Sequence, residues 1–172
     1  MNPGMRDLVG HHVWASRELI GFCAGLDEDM LGATVPGTYG SVIATLGHMV
    51  DAELWYLARL TDAWSAQPWP DGVLVGADVL TERAAELAGV LERFVAGDWD
   101  DERAVEETNE RGEVWADRAG VILTQLFHHA NEHRAQVCTI LGAHGIEPPD
   151  ISAWGYAGAT GRSWQQPASA ET

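Results

Sequence analysis

Of the seven histidines in this 172-residue chain, His129 and His133 are spaced so that they can act together. Four residues of helix turn through about 400°, which stacks the two imidazoles on one face roughly 5–6 Å apart at Cβ. Such a pair can grip one divalent metal ion. The same spacing arises by chance, and two core histidines bonded to carbonyls would read alike, so a third ligand is needed to separate the two readings. His48, from a distant stretch, is the candidate. Three neutral imidazoles on a divalent ion leave a fourth position for water or substrate, the arrangement of catalytic rather than structural sites, with zinc–nitrogen distances of about 2.0–2.1 Å. His128 lies about 100° round the helix from His129. His144 lies about three turns beyond His133. Neither is expected to reach the same ion.

Four amphipathic segments must position these side chains. The first runs from about Arg6 to Gly25, with Leu8, His12, Ala15, Leu19, Phe22 and Leu26 as its stripe and Gly25 as a left-handed cap. His12 lies on that stripe and Trp14 lies off it, and both are candidates for lining a cofactor pocket. The second helix starts at Ser41, a good N-cap, and is expected to reach about Trp64. It has a greasy stripe through Ile43, Leu46, Val50, Leu54 and Leu57. A second stripe of mostly small residues carries His48, so this helix is expected to be buried among several neighbours. The third helix is read over about Gly76 to Val95. The last runs from Arg118 to His144, stopped by Gly145 and by Pro148-Pro149. Between them, Arg103–Thr108 and Glu113–Trp115 flank Asn-Glu-Arg-Gly, which fits a short hairpin with Gly112 at the positive-φ position. The expectation is an all-α four-helix bundle with a short β-hairpin before the last long helix. The domain is read over residues 1–162. Residues 163–172 are expected to form a disordered tail, and the aromatic residues Trp154 and Tyr156 before it to pack back on the bundle.

Composition excludes several classes of function. The formal net charge is −16, with only 10 Lys and Arg. Phosphate backbones and anionic membrane surfaces need basic patches, so nucleic acid and membrane are not expected partners. No apolar run approaches the ~18 residues of a membrane span, and no signal-peptide core follows the N-terminus, so a cytoplasmic location is expected. Cys23 and Cys138 sit in helical stretches and need not pair. In a reducing compartment such cysteines act as small buried hydrophobes.

The motifs together resemble the DinB/YfiT-like superfamily of metal-dependent enzymes over nearly the whole chain. His-His-Val-Trp-Ala stands in helix one, where the family often has Tyr-Asn-x-Trp-Ala. Helix two carries Gly-Ser-Val-Ile-Ala-Thr-Leu-Gly-His-Met-Val-Asp-Ala-Glu, close to the family's Gly-Ser-Ile…Leu-x-His-x-x-x-Ala-Glu. Helix four carries His-His-Ala-Asn-Glu-His-Arg-Ala-Gln, similar to the family's Asn-His-x-x-His-His-Arg-Gly-Gln. His128, Glu132 and Ala135 depart from it, standing where Asn, a non-ligating His and Gly are common. The resemblance implies a four-helix bundle, often a homodimer, whose metal histidines fall on His48, His129 and His133. It implies that Glu53 and Arg134 form an ion pair or brace helices. It also implies a divalent ion, zinc or nickel before iron or manganese, that activates the sulfur of a low-molecular-weight thiol of the mycothiol or bacillithiol type. The implied reaction is S-transfer to a small electrophilic substrate. Two alternatives stand beside it. One is hydrolysis by metal-activated water, for which His12 is a candidate general base. The other is a non-catalytic metal- or ligand-binding protein.

Overall fold

The computed structural model describes residues 3–61, 68–70 and 73–166. In chain order these form α1 (Pro3–Cys23), α2 (Glu28–Leu31), α3 (Val42–Leu60), α4 (Ala77–Ala96), β1 (Ala104–Thr108), β2 (Val114–Arg118), α5 (Ala119–Ala143) and α6 (Ala153–Ala159). Helix α3 packs on α4 and α5, and α1 packs on the same two, so the four long helices close a ring around one core. Leu19, Leu46, Leu57, Leu87, Leu126 and Ile140 fill that core. This is the expected all-α bundle, with the hairpin in its expected place.

Local chemistry sets the boundaries. Ser41 caps α3, its Oγ accepting from the Ala44 N–H. Helix α3 ends at Leu60, about four residues short of the expected stop. Thr61 turns extended, at φ −122° and ψ 110°, and its hydroxyl donates to the Leu57 carbonyl. Trp64, the expected stop, lies outside the described residues. The left-handed cap expected at Gly25 does not form. Helix α1 instead ends at Cys23 and tightens, with N–H groups of Gly25 and Leu26 donating three residues back, to Phe22 and Cys23. Gly145 does take the left-handed form (φ +77°). Its N–H donates to the Gly142 carbonyl and that of Ile146 to the Leu141 carbonyl, the paired bonds of a Schellman cap.

In the hairpin, β1 and β2 pair antiparallel from Ala104↔Arg118 to Thr108↔Val114. Gly112 turns it at φ +76°. Arg118, expected to open the last helix, belongs to β2, and α5 starts one residue later. Arg59 on α3 ties the hairpin down through Asp117 at 2.8 Å. Two short helices form outside the four long ones and the hairpin. The single-turn α2 is capped by Asp27, which accepts from the Met30 N–H. Helix α6 docks on α1 through Tyr156, whose ring lies against His11 and Trp14, whereas Trp154, expected to pack back as well, is 84% exposed. His11 Nε2 donates to the Ile151 carbonyl at 2.9 Å and holds the approach to α6. Residues 163–166 carry no regular element, and the rest of the expected tail, 167–172, lies outside the described residues. Among the described residues no helix is long and apolar enough to cross a membrane.

Candidate metal centre

Helix α5 sets His129 and His133 one turn apart, and α3, packed along it, brings His48 to the same point. His129 Nε2 lies 3.1 Å from His48 Nε2 and 3.1 Å from His133 Nε2. Ligating atoms of all three lie within 4.8 Å of one another. The rings stand edge-on rather than stacked, at interplanar angles of 63°, 72° and 87°. Their in-plane lone pairs therefore converge.

Hydrogen bonding alone does not account for this geometry. An imidazole Nε2 has one in-plane site, holding either a proton or a lone pair. His129 Nε2 can thus satisfy one of its two close neighbours and not both. A cation between the three nitrogens satisfies all of them. Two nitrogens bound to a tetrahedral zinc at 2.0–2.1 Å would stand about 3.3 Å apart, close to the separations found here. The donor set therefore fits a divalent ion.

The surrounding groups prepare the nitrogens for that role. Gln136 Oε1 accepts the backbone N–H of Tyr39 at 3.0 Å and lies 3.1 Å from His133 Nδ1. A backbone N–H can only donate, so the amide oxygen faces that way and Nδ1 must carry the hydrogen. This leaves His133 Nε2 with its lone pair toward the cluster. The Tyr39 ring stacks on His48, with centroids 4.1 Å apart and 12° between planes, and meets His133 edge-on. Burial, then the neighbouring His133, His48 and His128, push the His129 pKa down to about 4. His48 is also lowered, first by burial and then by His133. Both therefore stay unprotonated at neutral pH and open to a metal.

His128 points to the surface and pairs with Glu132 across one turn at 3.4 Å. His144 folds onto its own helix, Nδ1 donating to the Ile140 carbonyl. Neither joins the cluster. A cavity of about 200 Å³ opens beside His48, between Tyr39, Trp69 and Leu74. Asp51 lies in its wall and accepts the Trp69 N–H at 3.3 Å. Burial raises the Asp51 carboxyl, against the lowering effects of that bond and of Arg83.

His12 is buried elsewhere. Its Nε2 lies 3.2 Å from Glu53 Oε1 and its Nδ1 3.4 Å from Arg134 Nη1. Arg134 also donates to Ser16 Oγ at 2.9 Å. These four groups from α1, α3 and α5 form a polar brace inside the core. Burial lowers the Arg134 pKa to about 10, against the pull of Glu53, so it remains a cation at neutral pH. His12 lines a different cavity, between α1, α3 and α4. Trp14 is half-buried against Tyr156 and His11 and lines neither cavity.

Gln136, Tyr39 and Asp51 were not singled out by the sequence. Gln136 ends the helix-four motif and stands three residues after His133, on the same helix face, and these were the available signals. Tyr39 and Asp51 gave none, because their roles come from a loop folding back and from the neighbourhood of Trp69.

No curated protein matches the chain. The sequence model of the DinB family matches residues 1–167. The chain carries that family's helical architecture and a histidine cluster able to hold a metal ion, and it belongs to the DinB family.

Proposed function

We propose that this protein is a metal-dependent S-transferase that joins a low-molecular-weight thiol, of the mycothiol or bacillithiol type, to a small electrophile. The observation that carries the reading is the convergence of three Nε2 atoms from two helices beside a cavity of about 200 Å³. His48, His129 and His133 would hold the ion, zinc or nickel before iron or manganese. When bound, the cation supplies uncompensated positive charge that favours a thiolate over a thiol, since all three ligands are neutral.

The chain's own residues do the rest. Gln136 fixes the His133 tautomer, and Tyr39 holds the His48 ring in plane against its own. Trp69, Leu74 and Tyr39 give the cavity an apolar part, beside the polar groups of His48 and Asp51, that would receive an uncharged electrophile. We place the enzyme in the cytoplasm and expect a homodimer, which sedimentation would test.

The test has two parts. Elemental analysis should find a single divalent ion per chain as purified, lost in His48→Ala. A thiol and a model electrophile should then give conjugate only with metal-loaded protein. Conjugation at equal rate by the metal-free protein would overturn the reading.

One observation favours hydrolysis as a second reading. Asp51, raised by burial, lies in the wall of the His48 cavity, where a general base could serve. His12, the earlier candidate for that role, faces Glu53 and Arg134 instead. Ester cleavage without added thiol, lost in Asp51→Asn, would favour this alternative.

A further inference from the structure

The larger cavity, about 490 Å³, lies between α1, α3 and α4. It is separate from the metal centre. Helix α3 gives Met49, Val50 and Glu53 to it, and Gly47, His48 and Asp51 to the smaller cavity. At about 100° per residue, Val50 points about 200° round the helix from His48. No described residue lines both.

The space has an identifiable cause. Leu80, Leu87 and Leu91 of α4 are fully buried, but the same helix presents Ala84, Ala85, Ala88 and Gly89 to the cavity. Four small side chains in succession leave the gap unfilled. Val13, Ile20, Met49 and Val50 make the opposite wall apolar.

The floor is polar and incompletely paired. Glu53 is 7% exposed and His12 2%. Arg134 faces His12 Nδ1, so that nitrogen accepts and Nε2, 3.2 Å from Glu53 Oε1, carries the hydrogen. Among the described residues, Glu53 has no other hydrogen-bond partner. Its second oxygen has no protein partner among the described residues and keeps some accessible surface, so it is an acceptor that a ligand in the chamber can meet. Arg17 and Glu92 also line the cavity, and with Arg134 and Glu53 they leave two formal charges of each sign, so a charged ligand would bring an unbalanced charge to the site, and an anionic one would also face the Glu53 carboxylate.

We infer that this cavity binds a small, neutral, mostly apolar molecule carrying one hydroxyl or N–H group, which donates to the open oxygen of Glu53. The inference stands independently of the metal centre, since it uses none of its ligands.

The test uses the metal-loaded full chain and 2-naphthol as probe, followed by calorimetry or by the probe's fluorescence. Two comparators go with it. 2-Methoxynaphthalene keeps the rings and lacks the donor, and 2-naphthoate carries a negative charge. Saturable binding of 2-naphthol is expected. The methoxy compound should bind at least about tenfold more weakly, as fits a lost bond to a charged acceptor. The naphthoate should not bind measurably. Ala88→Trp fills the chamber without touching the brace and should abolish 2-naphthol binding, with metal content and helical circular dichroism unchanged. Should that variant fail to fold, Ala85→Trp, started from the exposed rim, should give the same loss. The inference is overturned if 2-naphthol does not saturate, which would mean the chamber holds water only. It is also overturned if the methoxy compound binds equally well, or if a folded filling variant binds 2-naphthol like the parent.

Discussion

Gln136 Oε1 holds two parts of the centre at once, accepting from the Tyr39 backbone and from His133 Nδ1. Gln136→Ala removes both bonds and frees the His133 ring to turn or change tautomer. Affinity for the divalent ion should then fall about 10–100-fold, as measured against a competing chelator, because the groups behind a ligand set its orientation and basicity. Helix content should not change. Protonation gives a second prediction at this scale. An unfolded histidine takes up its proton near pH 6.5, whereas His129 in the folded chain without metal resists until about 4. Between these values the unfolded chain binds more protons, so stability of the metal-free protein should fall as pH drops across that window. His48, shifted the same way, adds to the effect. Thermal melts at stepped pH would show it, and His129→Ala should flatten the dependence. That His129 and His133 share one helix face was legible in the sequence, because helical spacing is written directly in residue numbers, whereas His48 stands on another helix and was reached through the resemblance. The chemistry behind them was less so. The contact of Tyr39 with Gln136 spans 97 positions and depends on how the loop before α3 folds back.

Among the elements, α5 carries His129, His133 and Arg134, and α3 carries both His48 and Glu53. The same two helices are therefore joined twice, by the histidine cluster on one side and by the brace on the other. Arg134→Leu would leave Glu53 buried without its compensating cation. It would also remove the bonds to His12 and Ser16, and the fold should be destabilised, as read from denaturant melts. The end of α5 gives a paired test. Gly145 sits at φ +77°, so Gly145→Ala should cost about 1 kcal/mol. Gly142 is helical, with nothing within 4 Å of an added Cβ, so Gly142→Ala should stabilise by about 0.4–1 kcal/mol. Periodicity made the four long helices and the hairpin readable, and Ser41, Gly112 and Gly145 act as their types suggest. The misreadings share a cause, in that helix ends are decided by competing bonds that sequence does not rank. Thr61 could have continued α3, and its N–H still donates to the Leu57 carbonyl, which its hydroxyl shares, yet its backbone turns extended. Gly25 could have turned left-handed, yet backward N–H bonds close α1 first.

For the whole molecule, a metal held by His48, His129 and His133 would join α3 to α5 and couple ion binding to folding. A ligand that binds only the folded state adds stability by mass action, about 2.7 kcal/mol at a hundred times its dissociation constant. Zinc should therefore raise the melting temperature of the parent protein and leave His129→Ala unmoved. The two thiols should play no part. Cys23 is raised to about 12 and Cys138 is also raised, each chiefly by burial, which keeps both protonated and unreactive. The bundle itself could be read from four amphipathic stretches. The two cavities could not, because each is space left between helices by small residues or a loop, and no single stretch of sequence records it. X-ray absorption spectroscopy of the zinc-loaded protein is the most direct measurement of the centre. It should show three imidazole nitrogens at about 2.0–2.1 Å, with one fewer in His129→Ala. A spectrum without imidazole scattering, or one unchanged by that substitution, would contradict the three-histidine site.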